Sequence, residues 1–284
     1  MSRELYINDF DRIKDHRARY PLAGKIFEQP NAFWFGTKHG KKTSKQVESR
    51  ARRLMKRVGN LLPVIVVYNL PNRDLGSYSA GGANSYTEYA EYVDALCTGL
   101  GDHAAIIIYE PDALAHSTQQ PWLTADARHE LMHDSLQTIV ARTKADVYVD
   151  IGHSNWLSPE IAGRLLNRVS PAGIRGFSIN VSNFRTTAES IAWGDRVAAY
   201  ACNKNYVIDT SRNGLGPHGN DWCNPPSRAL GSPPTFTTDS ALCDAYLWIK
   251  VPGESDGKCN GGPAAGRFWL EYARELVDNT EWLL

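Results

Sequence analysis

IIIYEPDALAH, Ile106 to His116, is the stretch on which the fold turns. Three isoleucines and a tyrosine in an unbroken apolar run read as a strand buried on both faces, as strands of parallel sheets are. The run stops at Glu110-Pro111-Asp112, two carboxylates around a residue with no N–H to give a sheet ladder. A core strand therefore delivers two acids to its end, where stripping them of water is costly.

Working outward, similar short apolar runs occur at 32–36, 63–69, 146–152, 174–180, 205–211 and 244–250. Stretches of helical character separate most of them. Ser85 to Leu100 sets Tyr89, Val93, Leu96 and Leu100 on one face, and Ala125 to Arg142 does so with Met132, Leu136, Ile139 and Val140. Alternation of apolar strands with helices predicts a parallel sheet covered by helices, an α/β fold of one domain over 1–284, either open or closed into a barrel. Polar groups follow nearly every run: Asn69 and Asp74; Glu110 and Asp112; Asp150 and His153; Asn180 and Asn183; Asp209 and Arg212; Lys250, Glu254 and Asp256. Singly, each reads as a helix cap or a turn former. Together, in a parallel barrel, they converge on the rim that carries active sites.

Bulk properties narrow the function. The chain has 284 residues with 31 basic and 31 acidic side chains, so it lacks the cationic surplus that a nucleic-acid partner requires. No apolar run approaches the ~18–20 residues of a membrane span, and the start, MSRELYINDFDRIKDHR, has no apolar segment of a secretory signal. Such a start fits a cytosolic chain or the mature form of a secreted one. Eight tryptophans and 13 tyrosines suit carbohydrate faces and core packing alike. Five cysteines form no CxxC pair, which argues against a zinc ribbon.

The segments VVYNLPNRDLGSYSAGG (66–82), IIIYEPDALA (106–115), VYVDIGHSNW (147–156), GFSINVSNF (176–184), VIDTSRNGLGP (207–217), DWCNPP (221–226) and LWIKVPGESDG (247–257) resemble glycoside hydrolase family 6. The resemblance runs from about Trp34 to about Trp269, in the family's order and spacing. It implies a distorted barrel of about seven parallel strands. It also implies hydrolysis of a β-1,4-glucan polysaccharide with inversion at the anomeric carbon, without metal or cofactor.

The same resemblance assigns roles. Asp112 matches the general acid, which must stay protonated to protonate the leaving oxygen, so its pKa has to rise well above ~3.9. Asp74 matches the neighbouring carboxylate that keeps the acid protonated. Asp256, flanked by the cations Arg212 and Lys250, matches the candidate base. Those cations would weaken it as a proton acceptor, and Asp74 acting through a water chain is the competing base. Asp150 matches a further acid near the centre, and Tyr68 a tyrosine that helps distort the bound sugar. Trp34, His153, Trp156, Asn180 and Asn183 match sugar-contacting positions, and Arg212, Trp222, Lys250 and Glu254 join them on the substrate side. Cys223 and Cys259 match a family disulfide. A second family bridge is missing as a unit, since Leu75 and about Gln120 stand at its two positions.

Two motifs compete. HELMH, His129 to His133, fits the zincin spacing. Its charged flank and the absence of a clear third ligand read instead as an exposed helix. GLGPHG, Gly214 to Gly219, fits a dinucleotide fingerprint. Pro217 inside it and WCNPP after it leave no helix N-terminus for a pyrophosphate, so a cleft-side loop is expected.

The reading is therefore a secreted, monomeric, inverting endo-β-1,4-glucanase. Endo attack rests on the short segments after Gly81 and Gly257, where exo-acting relatives carry long insertions. The alternatives are a cellobiohydrolase of the same family, a catalytically dead glucan-binding relative and, more remotely, a zinc peptidase. Cys97, Cys202 and Cys243 are expected as mostly buried thiols, with Cys202 and Cys243 a possible pair.

Overall fold

The computed structural model describes residues 4–8, 21–36 and 43–283. Seven strands form one sheet in sequential order: β1 (Phe33–Phe35), β2 (Val64–Val67), β3 (Ile106–Tyr109), β4 (Asp146–Asp150), β5 (Gly176–Ile179), β6 (Asn205–Asp209) and β7 (Cys243–Leu247). Every neighbouring pair is parallel, as in β2–β3, where Val64 faces Ile106 and Val67 faces Tyr109. The sheet curls into a half-barrel. Among the described residues no ladder pairs β1 with β7. Ala32 N–H donates to Trp248 O at 3.1 Å and Trp34 Nε1–H to Ile249 O at 2.8 Å, and these bonds draw the two edges toward each other.

The unbroken apolar runs are explained by what lies on each face. Alternate residues Val64, Val66, Ile106, Ile108, Val207 and Leu247 fill the barrel interior. Their neighbours Ile65, Val67, Ile107, Tyr109, Val149 and Ile208 point outward and pack beneath helices. Because successive side chains point to opposite faces, a strand covered on both sides is apolar through most of its length, with polar residues mainly at its ends.

The covering helices are α1 (Ser44–Val58), α2 (Tyr86–Leu100), α3 (Ala113–Ser117), α4 (Trp122–Arg142), α5 (Pro159–Val169), α6 (Thr187–Tyr200) and α7 (Leu270–Asp278). Ser85 caps α2 by accepting from Glu88 N–H at 3.1 Å, and Tyr89, Val93, Leu96 and Leu100 are all buried. Helix α4 starts three residues before the expected Ala125, because Pro121 fixes an extended entry and its carbonyl accepts from Thr124 and Ala125. Among the described residues no helix is long and apolar enough to cross a membrane.

The HELMH segment lies on α4, but the expectation of an exposed helix holds only in part. His129 is buried, with Nε2 2.8 Å from Ser117 Oγ, while His133 Nδ1 faces Val169 O at 3.3 Å. The two imidazoles serve different neighbours. Cys97 and Cys243 are buried thiols as expected; Cys202 is exposed, and it does not pair with Cys243. The backbone turns at Cys202, where φ is 53°, so its side chain is left on the surface.

Candidate active site

The strand ends answer the puzzle of the buried acids. Glu110, Asp150 and Asp209 are each fully buried, and each accepts backbone N–H groups from neighbouring chain. Glu110 takes Asn69 N–H at 2.9 Å and Leu70 N–H at 3.1 Å from the segment after β2, and the Tyr89 hydroxyl at 2.8 Å. Asp150 takes Asp112 N–H at 2.8 Å, Gly152 N–H at 3.1 Å and the Ser178 hydroxyl at 3.0 Å. Asp209 takes Ser182 N–H and Lys250 N–H, both at 2.9 Å. Each carboxylate clamps the loop of an adjacent strand, and charged acceptors make stronger bonds than neutral ones. Burial still dominates, pushing Glu110 up to about 7 and raising Asp209 against its hydrogen bonds.

The loops so held adopt unusual backbone. Asp74, Leu75, Glu110, Asp112, Asn180 and Ser182 all have φ between 45° and 68°, at the ends of β2, β3 and β5. Such positions cost roughly 1–3 kcal/mol each and cluster at functional sites.

Above them runs a groove of about 880 Å³, continued by a smaller lobe of about 230 Å³. Both lobes are lined by Asp74, Asp112, Asn183 and Trp222, so these four mark their junction. The larger lobe adds Trp34, Tyr68, Lys250, Glu254 and Asp256; the smaller adds His153 and Trp156. Trp34 meets Tyr68 edge-on, with ring centroids 5.2 Å apart. The GLGPHG loop contributes Pro217 and Gly219 to the smaller lobe.

Three residues expected on the substrate side or at the catalytic centre stand behind the wall rather than in it. Asn180 is fully buried, its amide nitrogen donating to Arg185 O and Asp209 O and its oxygen accepting from Arg185 N–H at 3.0 Å. Arg212 is also fully buried; it donates to Asp256 Oδ2 at 2.8 Å and lies 4.4 Å over the Phe184 ring. Neither lines the groove. Asp150 likewise lies beneath Asp112.

Electrostatics separate the carboxyls. Burial raises Asp112 well above the ordinary range, and Asp150, Asp74 and Asp256 push it further in that order. The foremost charged neighbour is thus Asp150, ahead of the Asp74 singled out from sequence. Burial also raises Asp74, against the Ser79 amide that its Oδ2 accepts at 2.7 Å and against Arg73. Asp256 goes the other way. Burial opposes its ionisation, but Arg212 and Lys250, the latter at 3.1 Å, outweigh that and hold it below the usual range. Tyr68 is raised by burial, then by Asp112 and Asp74, so its hydroxyl keeps its proton. Burial and Arg185 lower His153 to about 4, leaving a neutral imidazole in the smaller lobe.

The Asp256 loop is held from one further side. Cys223 and Cys259 form a disulfide with Cα atoms 6.2 Å apart. Next to it Asn224 N–H donates to Asp256 Oδ2 at 3.0 Å and Asn224 Oδ1 accepts Asp256 N–H at 2.8 Å. Sequence reading missed Glu110 and Asp209 as loop clamps, although both stood at strand ends. It also missed Arg73, whose guanidinium donates to Tyr68 O and to Ser79 O, and Tyr78, which lay in the 66–82 segment but was given no role.

Comparison with known proteins fits this arrangement. The family model described as glycosyl hydrolases family 6 matches residues 6–280. The chain is 41% identical over 265 residues to endoglucanase A of Cellulomonas fimi, covering 92% of this chain and 57% of that protein. It is 38% identical over 273 residues to endoglucanase 1 of Streptomyces sp. (strain KSM-9), covering 93% and 73%. A probable 1,4-β-D-glucan cellobiohydrolase C of Aspergillus niger is 29% identical over 274 residues, covering 75% and 60%. The solved endoglucanase Cel6 of Mycobacterium tuberculosis, in complex with methyl-cellobiosyl-4-deoxy-4-thio-β-D-cellobioside, superposes with a TM-score of 0.91 at 39% identity, covering 98% and 97%.

Proposed function

The chain belongs to glycosyl hydrolase family 6, and from that premise we propose that it is an inverting endo-β-1,4-glucanase acting on cellulose and soluble β-1,4-glucans. The observation that carries the reading is Asp112 at the junction of the two lobes, half-buried and pressed by carboxylates. A raised pKa keeps its proton available at neutral pH, which a general acid needs in order to protonate a departing glycosidic oxygen.

In this scheme the glucan lies along both lobes with the scissile bond over Asp112. Trp34, Trp156 and Trp222 offer flat apolar faces to pyranose rings, and Asn183, His153, Lys250 and Glu254 offer polar atoms to hydroxyls. Tyr68 stands below the sugar on the larger-lobe side, where its ring favours a distorted pyranose. Inversion requires a water on the face opposite the acid, activated by a carboxylate. Asp256 is a poor proton acceptor because two cations stabilise its charge. Asp74, raised instead of lowered, is the better base, acting through a water chain. Asp256 then neutralises Arg212 and Lys250, which would otherwise face the developing oxocarbenium charge unopposed.

The chain spans 57% of the length of Cellulomonas fimi endoglucanase A, so these assignments concern residues 1–284 as one catalytic domain. Action outside the cell, as a monomer, completes the proposal; a polymeric substrate and the Cys223–Cys259 bridge support the location, since disulfides persist in oxidising surroundings.

Incubation with carboxymethylcellulose, following viscosity and reducing ends together, tests the activity. Endo attack is expected to collapse viscosity while few ends have appeared. No release of reducing ends from any β-1,4-glucan would refute the reading. Parallel slow changes in both would favour the cellobiohydrolase alternative.

A further inference from the structure

Tyr78 and Trp222 meet with ring centroids 6.1 Å apart, at an interplanar angle of 52°. Tyr78 belongs to the loop after β2 and Trp222 to the loop after β6, near opposite edges of the curled sheet. Both line the larger lobe, and Trp222 also lines the smaller one, at the junction that holds Asp112. Each is 49% exposed, so each shows one side to solvent and the other to the groove. Ring centres at this separation are in packing contact, which leaves no space for a pyranose between them. The pair thus joins the loops of two well-separated strands at a groove that both residues line.

Tyr78 has a built seat. A Cβ added at Gly257 would fall 2.3 Å from Tyr78 Cγ and 2.6 Å from its Cβ. Only a glycine beside Asp256 lets the tyrosine lie there. On the other side, Ser79 N–H is fixed to Asp74 Oδ2, so the residue following Tyr78 is anchored as well.

Resting on the glucanase reading above, we propose that Tyr78 is a specificity-determining residue for mode of attack. Its ring closes on Trp222 over the bound chain and retains the glucan after a cut. The enzyme then opens the pair to admit the interior of a chain, and makes several cuts before letting go. Retention of this kind acts on dissociation more than on the chemical step.

The test compares wild type with Tyr78→Ala and Tyr78→Phe on swollen amorphous cellulose, measuring soluble against insoluble reducing ends. Removing the ring is expected to lower that ratio about two- to tenfold, the size of effect one aromatic pair supports. Tyr78→Phe is expected to keep the wild-type ratio because it retains the ring, and any loss on cellohexaose in Tyr78→Ala is expected to fall on KM with kcat largely kept. An unchanged ratio in a folded, active Tyr78→Ala overturns the proposal. If Tyr78→Ala fails to fold, Tyr78→Leu carries the same test, since it keeps apolar bulk on Gly257 without a ring for Trp222. Wild-type enzyme that cuts no β-1,4-glucan at all would instead overturn the glucanase reading on which the proposal stands.

Discussion

The backbone N–H of Asp112 donates to Asp150 Oδ1 at 2.8 Å. One buried carboxyl thus fixes the backbone of the other at φ 67° while pushing its pKa upward by like charge. Burial is the first cause of the raised pKa, and Asp150, the foremost charged contributor, also positions the group it tunes.

Asp150→Asn is expected to keep much of the geometry and remove the charge. In the proposed role Asp112 acts in its protonated form, so activity is expected to be lost as pH rises through its pKa. Removing the like charge lowers that pKa, and the basic limb of kcat/KM against pH is expected to move to lower pH. The rate itself is expected to fall by up to about a hundredfold through lost alignment. A basic limb that stays in place or moves up would separate Asp150 from the tuning of Asp112.

On the proposed role, Asp112→Asn removes the proton the acid would transfer and is expected to lower hydrolysis of cello-oligosaccharides by about two to four orders of magnitude. Aryl substrates with good leaving groups need less protonation and should lose less. Binding of cellotetraose, measured calorimetrically, should survive. Activity within a few-fold of wild type on the natural linkage would remove Asp112 from the acid role.

Arg212→Ala leaves buried Asp256 with Lys250 as its remaining cationic partner. Breaking a buried pair from one side typically costs about 3–5 kcal/mol, so a marked fall in Tm is expected at neutral pH. The pKa of Asp256 is lowered in the folded state, so its contribution is present above the unfolded value and fades as pH falls through the folded one. The penalty of Arg212→Ala should therefore shrink in acid. Denaturation at pH 7 and at pH 3 reads this out; an equal penalty at both would place its origin in packing against Phe184.

Glu110→Ala leaves Asn69 N–H and Leu70 N–H buried without their acceptor. Unsatisfied groups of this kind cost about 1–3 kcal/mol each. Because the freed segment leads into Arg73 and Asp74, kcat is expected to fall together with Tm, whereas Glu110→Gln, which retains an acceptor, should restore most of both. Loss of stability with kcat intact would confine Glu110 to the core.

Much of the fold was legible because each strand lies within a short, mostly apolar run bounded by polar residues. The seven runs mapped onto seven parallel strands in order, and the helical stretch expected from Ser85 to Leu100 is α2, which starts one residue later because Ser85 is its N-cap. Boundaries were less legible where a proline set them, as at Pro121. Within the site, sequence could place residues at strand ends but could not say which way they faced. Asn180 and Asn183 sit three apart in one segment, yet the first is buried beneath the wall and the second lines it. A left-handed turn at Asn180, with φ 68°, divides them, and nothing in the residue types reveals it. Tyr78 stayed invisible for a similar reason: its meaning comes from Trp222 and Gly257, distant in sequence.

The most direct check on the central claim is proton NMR of cellohexaose hydrolysis by the wild-type enzyme, recorded before mutarotation scrambles the new reducing ends. Attack by a water opposite Asp112 is expected to deliver the α-anomer first, with the β-anomer growing in only as the sugars equilibrate. A β-anomer that appears first would mean retention, and would contradict the assignment of Asp112 and the water-activating carboxylate to an inverting reaction.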